Sequence, residues 1–147
     1  MDLKDIVQED EKITGWATFK PGFDVELEYV SRMAMEAIRK RCRRTVWKGH
    51  QPVEETNEKR LATEIARFVN NWRGLTREVL ESLFPIKEGV ELNGLSIPCT
   101  EQNKLYVLEK AYGFDEFVIA NITELQNLKR NQLESELKNS DALSQEK

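Results

Sequence analysis

Phe68-Val69-Asn70-Asn71-Trp72-Arg73-Gly74-Leu75 is the stretch on which the reading of this chain turns. Leu61, Ile65, Phe68, Val69 and Trp72 recur at i, i+4, i+7, i+8 and i+11, the apolar stripe of a helix lying on a core. Gly74, two residues past the tryptophan, supplies the positive φ with which helices often end. Thr76 and Glu78 then open a short helix carrying Val79, Leu80 and Leu83. The stretch is predicted to be a helix end, a corner and a helix start, and none of its groups does chemistry.

Upstream, Glu54-Glu55-Thr56-Asn57-Glu58 is expected to open that long helix with acids suited to its N-terminal dipole. Further back, Phe23 to Tyr29 alternates strictly, with Phe23, Val25, Leu27 and Tyr29 facing one way and Asp24, Glu26 and Glu28 facing water. Pro21-Gly22 joins it to an earlier strand through a type II turn. A lone hairpin is marginal in water, so residues 13–30 must lie on helices. Ser31 is expected to cap a helix running to about Thr45, with Ala34, Met35, Ile38 and Cys42 on its inner face.

Downstream, Asn93-Gly94 between alternating apolar residues predicts a type I′ hairpin projecting from the 85–98 loop. Thr100 caps a fourth helix with Leu105, Leu108, Ala111 and Tyr112 inside and Gly113 at its end. Asp115 starts a last helix bearing Phe117, Val118, Ile122, Leu125 and Leu128. The fold class expected is a mainly α-helical α+β domain over residues 13–137, its N-terminal β-hairpin packed on four to five helices. Residues 1–12 are expected as a flexible acidic arm and 138–147 as a disordered tail.

Composition narrows the function. At 147 residues, 39% hydrophobic and 33% charged, the chain suits one domain with a real core. No apolar run approaches the ~20 residues of a membrane-spanning helix. The N-terminus lacks the basic-then-apolar order of a signal peptide, so a cytoplasmic location is expected, with Cys42 and Cys99 as free thiols. The single histidine, His50, stands in the turn Lys48-Gly49-His50-Gln51-Pro52 and reads as solvated rather than catalytic. The sequence has no Gly-rich phosphate loop, Cys-x-x-Cys, His-Glu-x-x-His or Asp-rich calcium loop. No catalytic residue, cofactor or metal is therefore expected, and a binding role is favoured over an enzyme.

One charge cluster stands out. From Ser31 to Lys48 there are seven basic residues, Arg32, Arg39, Lys40, Arg41, Arg43, Arg44 and Lys48, against one acid, Glu36. Three readings compete: a solvated face meeting nearby acids, a footprint for phosphate, and a docking surface for an acidic protein segment. A sequence pI of about 5.2 weighs against nucleic acid. Arg39, Lys40, Arg41, Arg43 and Arg44 are kept as a candidate basic docking surface.

These pieces, in order, resemble the tail assembly chaperones of long-tailed bacteriophages and prophages. The alternating strand Phe23 to Tyr29 followed by a helix is similar to theirs. So is the Asn71-Trp72-Arg73-Gly74-Leu75 corner after a long helix, and so is Ile97-Pro98-Cys99-Thr100-Glu101-Gln102-Asn103 leading into a helix. Phe114 to Phe117 and the polar end at Lys138-Asn139 resemble the family's last helix. The chain departs in a longer insert around Leu92-Asn93-Gly94-Leu95 and in the dense basic run from Arg39 to Arg44.

The resemblance implies a non-enzymatic chaperone in the bacterial host cytoplasm. It would bind the long helical tape-measure protein, and with it the tail-tube protein, during tail assembly. Trp72, Leu75, Phe84 and Leu95 lie on or near corners and are the candidate client-binding residues, although a core role is favoured for Trp72, which continues the stripe, and for Leu75. The alternatives are a small nucleic-acid-binding protein using a basic helix over 32–48, and a minor structural tail protein.

Overall fold

A computed structural model describes residues 1–7 and 12–145. In chain order its elements are β1 (Thr14–Lys20), β2 (Phe23–Glu28), α1 (Arg32–Arg41), β3 (Arg43–Lys48), β4 (Gln51–Thr56), α2 (Glu58–Ile65), β5 (Val69–Arg73), α3 (Arg77–Leu83), α4 (Glu101–Lys110), α5 (Phe114–Ile122) and α6 (Leu125–Gln145), with 3-10 turns at Leu3–Asp5 and Ala66–Phe68. The class is the expected mainly helical α+β. The last predicted helix is divided between α5 and α6 at Thr123, which raises the helix count to six among the described residues.

The alternation of Phe23–Glu28 places β2 at the centre of an antiparallel sheet ordered β1-β2-β5. Its inward residues Phe23, Val25 and Leu27 are completely buried. The Phe23 ring meets Trp72 of β5 edge-on at 5.8 Å and lies nearly parallel to Phe114 of α5 at 6.1 Å. Favoured aromatic geometries thus tie sheet to helix. Phe114, Val118 and Ile122 of α5, Met35 and Ile38 of α1, and Leu61 and Ile65 of α2 complete that core.

The long helix expected to end at Trp72 is not formed. α2 stops at Ile65, and after a 3-10 turn the chain becomes β5. Leu27 pairs with Val69 and Val25 with Trp72, so a two-residue step on β2 faces a three-residue step on β5. A β-bulge absorbs the extra residue and lets Val69 and Trp72 face the same core. Three-residue spacing on a bulged strand imitates one turn of helix.

The helix expected to reach Thr45 ends at Arg41, capped at its start by Ser31 Oγ accepting from the Ala34 amide at 3.1 Å. Beyond it β3 and β4 form a separate two-stranded ribbon. Gly49 and His50 both have positive φ, 56° and 69°, the signature of a type I′ turn. The Asn93-Gly94 hairpin is also corrected. The Leu95 amide donates to the Leu92 carbonyl at 3.1 Å, but only Gly94 has positive φ and no strand flanks the turn.

Two expected inward residues, Ala34 and Tyr112, are exposed. Helix α6 runs to Gln145, through most of the segment expected to be disordered from 138. Glu146 and Lys147 lie outside the described residues, as do residues 8–11 of the expected acidic arm.

Candidate functional site

The turn at Gly74 sends Leu75 into the core, and Thr76 restarts the chain as α3. This short helix buries Val79 and leaves Leu80 and Phe84 on a flank toward α4. The 85–98 loop then returns over that flank, held at identifiable points. The Ile97 amide donates to the Leu75 carbonyl at 3.0 Å, and the Ile97 carbonyl accepts the Trp72 indole N–H at 2.8 Å. Arg77 donates to the Asn93 side chain at 3.1 Å, and Asn103 of α4 donates to the Pro98 carbonyl at 3.0 Å.

Between loop, α3 and α4 lies an open groove of about 300 Å³, lined by Leu75, Leu80, Phe84, Ile86, Val90, Leu92, Ile97, Tyr106 and Val107, with Lys87 and Asn103 as its polar members. Phe84 and Tyr106 form one wall with ring centroids 5.4 Å apart. Val90 and Tyr106 are about half exposed. A concave, mostly apolar surface binds by area and shape, and its few polar groups, Lys87, Asn103 and the Tyr106 hydroxyl, can orient what it holds.

Of the four candidate client-binding residues, Leu75 and Phe84 line this groove. Trp72 is 5% exposed and sits behind it as core. Leu95 is exposed on the loop and is not part of the lining. Sequence reading missed Leu80, Val90, Leu92, Ile97 and Tyr106 as a set. The signal was the alternation of Val90 to Ile97, assigned to a self-paired hairpin instead of a cover for α3.

The basic cluster is divided. Arg39, Lys40 and Arg41 lie in the last turn of α1, where cations suit the helix dipole, whereas Arg43 and Arg44 are consecutive strand residues on opposite faces of the ribbon. Arg41 pairs with Glu64 at 3.0 Å, Arg44 with Glu55 at 2.9 Å, and Lys48 with Glu55 at 4.0 Å. Among the described residues no acid pairs with Arg39, Lys40 or Arg43. The single basic helix expected over 32–48 does not exist.

Cys42 is buried, and burial, aided by Glu64, pushes its thiol upward against the opposing effect of Arg60 and Arg41. Burial pushes Cys99 up to about 11, partly offset by Lys104. Neither thiol is a nucleophile at neutral pH. His50 is exposed at the ribbon tip. Among the described residues no group of three or more His, Cys, Asp or Glu side chains is placed to hold a metal, and no helix is long and apolar enough to cross a membrane. In comparisons with family models, curated proteins and solved structures, the chain has no match.

Proposed function

We propose that this chain is a non-enzymatic tail assembly chaperone of a bacteriophage or prophage, holding an apolar helical segment of the tape-measure protein in the Leu75–Val107 groove while the tail tube assembles in the host cytoplasm. The observation that carries the reading is the groove itself. It is apolar, open along one side, and built at the Trp-Arg-Gly-Leu corner on which the family resemblance rests. An amphipathic helix laid into such a groove is bound through a few apolar anchors, with flanking polar groups setting register. The ion pairing of Arg41, Arg44 and Lys48 weakens the nucleic-acid alternative, because those charges are already offset within the chain.

Co-expression with the tape-measure protein from the same gene cluster tests the proposal. The expected result is co-purification and increased solubility of that protein, both abolished by Val90→Asp, which puts a charge on the open wall at a half-exposed site. A tape-measure protein equally soluble with and without the chain, and never co-purifying, would sink the idea. Absence of the chain from purified virions separates a chaperone from a minor structural tail protein.

A further inference from the structure

The β3–β4 ribbon carries side chains exposed along both faces and makes no role for itself in the core. Trp47 is 69% exposed, an unusual state for a large aromatic in a monomer. The Asn57 amide donates to the Cys42 carbonyl at 2.6 Å, which fixes the phase of the ladder. The pairs Arg44/Glu55, Val46/Val53 and Lys48/Gln51 are therefore the hydrogen-bonded ones, while Arg43, Thr45 and Trp47 direct their backbone N–H and C=O groups outward.

The two edges of the ribbon differ. On β4 the matching outward position nearest the turn is Pro52, which has no N–H, and the next is Glu54. Proline and charge are common means of blunting an edge strand. The β3 edge has no proline and keeps every outward N–H; Arg43, its one outward charge, Thr45 and Trp47 are all exposed along it.

We infer that β3 pairs antiparallel with β3 of a second copy, about a two-fold axis at Thr45, making a four-stranded sheet across the dimer. Among the antiparallel registers that join outward groups to outward groups, centring on Thr45 pairs the most of them. It sets Thr45 against Thr45 of the second copy and Arg43 against its Trp47, in both directions. Each guanidinium then lies beside an indole, the best aromatic partner for a cation, and Arg43 is a residue with no acid partner among the described residues. On the opposite face Glu55 already offsets Arg44 and Lys48, so closing the interface does not gather unpaired cations. Such an interface is self-complementary, as a two-fold axis requires.

Sedimentation equilibrium of the full chain over a wide concentration range tests this. The unaltered chain is expected to show a monomer–dimer equilibrium. Thr45→Pro removes an outward N–H that the ribbon's own ladder does not use, and is expected to give a monomer whose circular dichroism is unchanged. Trp47→Arg sets like charges opposite one another and is expected to weaken the dimer about tenfold or more. Adding Arg43→Trp to Trp47→Arg restores the cation–indole pair in the same register and should restore the dimer, which decides the matter even where Thr45→Pro fails to fold. A chain that is monomeric throughout, or a dimer indifferent to Trp47→Arg, overturns the inference. So does a monomer that binds duplex DNA through Trp47, which would assign the face to nucleic acid.

Discussion

The ammonium of Lys104 lies 2.9 Å from the carbonyl oxygen of Val69 and 3.2 Å from that of Ala66, so one side chain of α4 closes the place where α2 hands over to β5. Carbonyls at a helix end lose their intrahelical partners, and buried ones need a donor from elsewhere. Lys104 supplies it while only 7% exposed. Its further pairing with Glu101 at 2.9 Å involves a carboxylate that is itself largely in water and adds little.

Lys104→Met keeps the apolar stem and removes the donor. The Ala66 carbonyl keeps the Val69 amide as a donor, so the loss falls on the Lys104 bond to the Val69 carbonyl and is expected to cost about 1–3 kcal/mol, seen as a lower urea midpoint and a Tm several degrees down. Glu101→Ala should melt close to the unaltered protein. If Lys104→Met is as stable as the parent, the lysine is not the cap that the geometry describes.

Gly74 is constrained twice. Its φ is +82°, and a Cβ there would collide with the backbone carbonyl of Gly22 in the β1–β2 turn. Gly89 has nearly the same φ, +80°, with open space around it. Gly89→Ala is expected to cost about 1 kcal/mol from backbone strain alone. Gly74→Ala should cost clearly more, because sheet and corner must move apart. Parallel thermal melts of the two variants compare them, and equal losses would show that the close approach to Gly22 carries no weight.

The central strand was legible in the sequence because burial of one face leaves period two visible at Phe23, Val25 and Leu27. β5 was not, since its bulge replaces that period with the three-residue step from Val69 to Trp72. The ribbon escaped for a different reason: with both faces in solvent, nothing forces hydrophobic alternation, and Pro52 speaks against a strand unless the strand is an edge. Thr45-Val46-Trp47 before a two-residue turn was the signal available. For the groove, Leu75 and Phe84 could be picked as corner residues. Their neighbours Val90 and Leu92 come from a loop whose alternation points to a self-paired hairpin, and it is the tertiary hydrogen bonds at Ile97 and Asn93 that place them over α3 instead.

Cys99 gives a pH dependence of defined sign. Burial raises its folded thiol to about 11, above the ordinary value of 9.0. Between those values the unfolded chain has lost this proton and the folded chain retains it, so stability falls as pH rises through the window. The contribution is fully present below pH 9. Urea midpoints for the parent and Cys99→Ala are expected to differ by a constant amount at neutral pH, with the parent losing ground between about 9 and 11. A difference independent of pH would show that the thiol ionises as freely folded as unfolded.

Trp72 couples the core to the groove, and two substitutions separate the couplings. Its ring is buried against Phe23, and its N–H holds the Ile97 carbonyl that anchors the loop. Trp72→Ala removes both and is expected to cost on the order of 3–5 kcal/mol, a large part of a domain's stability. Trp72→Phe keeps most of the packing and removes the donor, leaving one partly buried carbonyl unpaired. Its melting should fall much less. Yet the Ile97 amide, bonded to the Leu75 carbonyl beside that lost contact, should exchange faster with solvent, because the loop has lost one of its two ties at this residue. Client solubilisation should then decline in Trp72→Phe at a temperature where the fold is intact, since Ile97 lines the groove. Unchanged exchange at Ile97 in that variant would mean that the indole hydrogen bond does not hold the loop, and that packing alone shapes the groove wall.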